Sequence, residues 1–154
     1  MTTNTAATAI GNVNISRPTK SFTLASISAL VIGIAAYGIG LFNAEMALNE
    51  KGYYLIVLLY GLFSTISLQK SVRDEQEGLQ TSNIYTRLCW LSSLIAIILL
   101  TVGLYNAEML LSEKGFYGMA YTLSLFAVVV MQKNIRDSQL EEIPSELESK
   151  TSLE

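Results

Sequence analysis

The side chains of this chain that could do chemistry sit in two short motifs, and each motif is written twice. The first, G-L-[F/Y]-N-A-E-M-x-L-x-E-K-G-[Y/F]-Y, occupies residues 40–54 and again 103–117. It offers Asn43, Glu45, Glu50 and Lys51, with the copies Asn106, Glu108, Glu113 and Lys114. Up to four carboxylates gathered near the mouth of a helix bundle could bind a proton or a cation. The plainer reading is that these residues end a helix and meet headgroup water, with Lys51 favoured near a helix C-terminus by its dipole. On one continuous helix Asn43 and Glu50, seven apart, share a face, and Glu45 points nearly the opposite way.

The second motif, Q-K-x-[V/I]-R-D, lies at 69–74 and 132–137. Lys70 and Arg73, three apart, share a helical face, as do Lys133 and Arg136, and Asp74 and Asp137 can pair with the Lys one turn back. Basic groups at the end of a span sit among anionic headgroups and fix topology. A docking surface for a partner or a phosphorylated ligand is the sharper alternative, but two basic residues per copy are ordinary for a span end.

Other chemistries find no footing. The chain has no His and a single Cys, Cys89, so it can form neither an intramolecular disulfide nor a Cys/His zinc site. Cys89 reads as a small packing residue. A net charge of −3 without a basic stripe argues against nucleic acid as a partner. No nucleophile, metal constellation or cofactor loop is visible, so neither an enzyme nor a cofactor is expected.

The elements that must carry these motifs are set by where charge is missing. All 23 charged residues fall outside four windows, 21–44, 52–69, 88–107 and 115–132, which hold 80 of the 154 residues. A soluble protein cannot keep four such windows and still cover its outside with polar groups. A helix crossing a membrane needs about 20 apolar residues, so the sequence predicts four spans. The second and fourth, Tyr53–Gln69 and Phe116–Gln132, are short, and Lys70 and Lys133 can snorkel to make up the length. The linkers are expected to prolong the first helix of each pair by two turns, with Gly52 and Gly115 ending it as C′ residues. Tyr53-Tyr54 and Phe116-Tyr117 then fall at one interface and Trp90 at the other. Ala25, Ala29 and Gly33, and Ala36, Gly40 and Ala44, recur every four residues and permit close helix contact, within the pair or between protomers. No ionisable residue lies at mid-depth, which weighs against a pump or coupled transporter.

The spans are two copies of one unit. At an offset of 63 residues, 18 of 37 positions from 40 to 76 are identical to their counterparts, too many for chance. The copy rules out a cleaved signal peptide, as does an apolar run of 21 residues from Phe22 to Phe42. The resulting division is an N-terminus 1–20 expected to be disordered, a first unit 21–76, a connector 77–84, a second unit 85–139 and an acidic tail 140–154 also expected to be disordered. Asn14-Ile15-Ser16 matches a glycosylation sequon by chance. Eight of the ten Lys and Arg lie in the termini and connector, and the linkers hold only Lys51 and Lys114. Positive-inside reasoning therefore sets both termini and the connector in the cytoplasm. Two spans per unit make the copies parallel, not inverted.

Both copies of the motifs resemble the YiaA/YiaB two-helix-domain family of bacterial inner-membrane proteins, over residues 20–139. The resemblance implies an inner-membrane protein built from two-helix units, and it implies no activity. The second copy departs at Gly118 and Ser124, which replace Leu55 and Gly61. The expectation is an all-α membrane protein of four transmembrane helices arranged as two tandem parallel hairpins. Its role is read as non-enzymatic: structural, interaction or stress-adaptive. Its partners are the lipid bilayer and a second copy or another membrane protein. The competing reading is a small channel or transporter, completed by dimerisation, with the linker carboxylates at its outer mouth.

Overall fold

The computed structural model describes residues 19–79 and 82–151, with side chains through Arg136. The region expected to form a disordered N-terminus, with its sequon, lies outside the described residues except for Thr19 and Lys20, and Lys20 already opens a helix. Four helices follow in order: α1 (Lys20–Asn43), α2 (Leu48–Gln76), α3 (Asn83–Asn106) and α4 (Leu111–Thr151). Each contains a stretch long and apolar enough to cross a membrane. Their outward residues are apolar too: Val31, Ile32 and Ile39 on α1, Ile56 and Phe63 on α2, Ile97 and Ile98 on α3, and Phe126 on α4 are all exposed. A helix that is apolar on the face it shows to its surroundings suits hydrocarbon, not water.

Two expectations are corrected here. The linkers do not prolong the first helix of each pair. α1 stops at Asn43, and Ala44 and Ala47 adopt extended backbone with φ/ψ of −66°/138° and −61°/152° before α2 begins at Leu48. Ala107 repeats this conformation at −68°/140° after α3. Gly52 and Gly115 therefore lie inside α2 and α4 and end nothing, and Asn43 and Glu50 stand on different helices. The second correction concerns the C-terminal segment. α4 runs on to Thr151, so the acidic stretch from 140 is helical over most of its length. Its Glu, Leu and Lys residues are good helix formers. α2, by contrast, is stopped by Gly78, whose φ of +73° is a left-handed C-terminal conformation that suits glycine.

Packing runs mainly across the repeat. α1 lies chiefly against α4 and α2 against α3, α2 touches α4 along the middle, and contacts between the two helices of one unit are sparse. The α1–α4 register is fixed at three depths, with Ser26 at Asn134, Gly33 at Ser124 and Gly40 at Phe116. As one number rises the other falls, so these helices are antiparallel. α2 and α3 pair in the same sense, through Tyr53 with Leu99 and Gly103, Tyr60 with Ser92, and Ser71 with Thr86.

Exchanging each residue for its repeat counterpart 63 positions away turns the Gly40–Phe116 contact into Gly103–Tyr53, so the two interfaces are related by a pseudo-two-fold axis. Tyr54 and Tyr117, equivalent in the repeat, stack face to face across the α2–α4 seam with centroids 6.0 Å apart and planes 21° from parallel. Around them Tyr37, Leu41, Val57, Leu58, Leu100, Ala120 and Tyr121 form the buried core, which thus lies toward the linker end.

Candidate functional site

The first motif builds the corner between two helices. Two consecutive helix ends meet there, one leaving unpaired carbonyls and the other unpaired amides. Glu50, in the first turn of α2, folds back so that its Oε2 accepts from the Ala47 amide at 3.1 Å. Ala47 has no side-chain oxygen to return, so this is the carboxylate half of a capping box. The next residue serves the other helix: Lys51 Nζ donates to the Phe42 carbonyl, at the end of α1, at 2.9 Å. Asn43 Nδ2 donates to the Ile39 carbonyl one turn back at 3.0 Å. Every one of these bonds recurs in the second copy. Glu113 Oε2 accepts from Leu110 N at 3.0 Å, Lys114 Nζ donates to Tyr105 O at 3.3 Å, and Asn106 Nδ2 donates to Val102 O at 2.8 Å. Lys51 thus sits at a helix C-terminus in space, although by sequence it lies near an N-terminus.

Glu45 and Glu108 are different. Both are exposed, and neither makes a hydrogen bond or an ion pair among the described residues. The fold brings them to the same end of the molecule, where two open recesses of about 700 and 790 Å³ lie side by side. Glu45, Met46, Glu108 and Met109 border both recesses. Glu50 lines only the first and Glu113 only the second. Among the described residues no three carboxylates or thiols come together as a metal-ligand set. The structure therefore divides the eight residues: six are spent on the backbone of the corners and two carboxylates are left facing outward.

The second motif sits at the far ends of α2 and α4. Lys70 and Lys133 are exposed, while Arg73 and Arg136 are partly buried. Arg73 lies 3.6 Å from Asp74 and 3.7 Å from Glu77, and Arg136 pairs with the same Glu77. Asp74 is thus drawn to its neighbouring Arg, not to Lys70, and the side chain of Asp137 lies outside the described residues. Gln69 Nε2 donates to the Val129 carbonyl at 3.1 Å and ties α2 to α4 just above the arginines.

Three contributors were not singled out from the sequence. Met46 and Met109 pack their thioethers against the tyrosine core from the corners, and their repetition within the motif was a visible signal. Glu77 bridges both arginines, yet it lies beyond the repeat, since position 140 is Leu, so the internal copy gave no hint of it.

Comparison with known proteins matches the yiaA/B two helix domain twice, over residues 22–74 and 85–137, which include both corners and both basic motifs. The chain is 56% identical over 124 residues to Inner membrane protein YiaA of Escherichia coli (strain K12), covering 80% of this chain and 86% of that one. It is 34% identical over 96 residues to Inner membrane protein YiaB of the same organism, covering 62% and 81%. Uncharacterized membrane protein YubF of Bacillus subtilis (strain 168) is 39% identical over 62 residues. That match takes in 40% of this chain but 71% of the relative, which has room for one unit only. No solved structure matches the chain.

Proposed function

The chain belongs to the yiaA/B two-helix-domain family, and from that membership we propose that this multi-pass membrane protein works in the inner membrane by contact and not by catalysis. The observation that carries the reading is the use of the motif itself. Glu50, Lys51, Asn43 and their copies are occupied in closing helix ends, so six of the eight motif residues serve structure and not chemistry. What the corners offer outward is a shaped surface: two recesses bordered by Glu45 and Glu108, suited to a second copy or another membrane protein. Both termini lie in the cytoplasm, because the Lys and Arg residues crowd at that side, and the corners face outward from it. Lipid covers the rest.

Flux across proteoliposomes tests this. Wild-type protein and the Glu45→Gln, Glu108→Gln double variant should both leave proton and potassium permeability at the level of empty liposomes. A wild-type flux that the double variant abolishes would replace the contact reading with a channel. In intact membranes, photocrosslinkers at Glu45 and Glu108 should trap one defined product, and a ladder of unspecific adducts would count against a docking surface.

A further inference from the structure

The differences between the two units are as informative as their identities, because they fall where the units meet. Gly33 of α1 lies so close to α4 that a Cβ there would stand 2.6 Å from Ser124 Oγ and 3.1 Å from the Ser124 backbone nitrogen. The repeat equivalents of this pair are Ala96 and Gly61. In both pairs the glycine belongs to the first unit and the larger side chain to the second, Ser124 on α4 and Ala96 on α3. Gly61 has a further role. A Cβ on it would fall on the Tyr121 hydroxyl and 2.6 Å from Tyr121 Cζ, and Tyr121 is buried at 2% exposure with no room to swing. The first unit has Leu58 where the second has Tyr121, so the large ring occurs once and faces the one glycine that admits it.

We infer that the two units are a matched heterotypic pair, each shaped for the other and not for a second copy of itself, with the discrimination held by Gly33, Gly61, Ala96, Tyr121 and Ser124. Replacing the first unit by another second unit sets Ala against Ser124 and Ser against Tyr121, and the pseudo-symmetry imposes both clashes twice. Replacing the second unit by another first unit sets Gly33 against Gly and Leu58 against Gly61, which leaves voids where Ser124 and Tyr121 were. Overpacking and cavities both destabilise, so the mixed pair is preferred over either like pair. The partner surface of each unit is therefore a two-helix unit of the complementary type. Because that partner is tethered in the same chain, exchange of units between molecules is disfavoured.

The test uses full-length protein in detergent micelles. Gly61→Ser should lower the apparent melting temperature by about 5 °C or more. Adding Tyr121→Leu, which removes the opposing ring, should recover most of that loss. A full-length chain in which residues 22–74 carry a copy of 85–137 should elute as mixed oligomers, and restoring glycine at positions 33 and 61 and leucine at position 58 of that chain should return a single monodisperse species. An unchanged melting temperature in Gly61→Ser, no recovery with Tyr121→Leu, or a duplicated chain as monodisperse as the native one would each overturn the inference. So would failure of the three restored residues to rescue it.

Discussion

At the level of single residues, the repeated motif shows how one carboxylate and one ammonium, adjacent in sequence, can serve two different helices. Side chains leave a helix tilted toward its N-terminus, so residues in the first turn of α2 reach back over the corner. Glu50 uses that direction to cap its own helix and Lys51 to cap the preceding one. Removing both carboxylates, as Glu50→Ala with Glu113→Ala, should cost about 1 kcal/mol per corner, the usual worth of a cap. The Ala47 and Leu110 amides should then exchange with solvent faster, while amides of the tyrosine core keep their protection. A second prediction concerns Tyr121. Its hydroxyl is buried without a hydrogen-bond partner, and an unsatisfied buried hydroxyl is costly. Tyr121→Phe should therefore leave stability unchanged or raise it by up to about 1 kcal/mol, read from the midpoint of a detergent-induced unfolding curve. A clear loss would mean that the hydroxyl has a partner.

Helices are where the packing logic appears. Lipid offers apolar segments as good an environment as a neighbouring helix, so association depends on close approach and on polar contacts. Both devices are present along each cross-repeat seam. Glycines admit the rings of Phe116 and Tyr53, and hydrogen bonds join Ser26 to Asn134, Tyr53 to Leu99 and Ser92 to Tyr60. Tyr37 Oη donates to the Tyr54 carbonyl at 3.0 Å and ties α1 to its own partner α2, whose packing against it is otherwise slight. Tyr37→Phe should cost only about 0.6 kcal/mol, the average found for such bonds in membranes. Tyr37→Leu should cost more, because it also removes the ring that stands edge-on to Tyr117 at 5.4 Å.

For the whole molecule, the orientation proposed from charge can be checked by labelling. In a Cys89→Ser background, a membrane-impermeant thiol reagent added from outside should label Asn49→Cys in the corner and leave Ser82→Cys in the connector unlabelled. The reverse pattern would invert the topology.

Much of the protein was legible from its sequence. Four uncharged windows determine four membrane-spanning helices, since hydrocarbon tolerates little else. A 63-residue repeat determines two equivalent units, and the positions of Lys and Arg supply the expected direction. Local spacing did not reveal the corner at Ala44–Ala47, because the Lys51 bond that joins its two helices runs from the start of one to the end of the other. A single-helix projection assigns Lys51 and Glu50 to the wrong partners. Nor could the sequence tell which helices embrace. Apolar faces in lipid carry no pattern that separates a neighbour in the same unit from one in the other. That choice rests on shape, on a glycine facing Ser124 across one seam and a ring facing the glycine that admits it, and shape exists only once the helices are together.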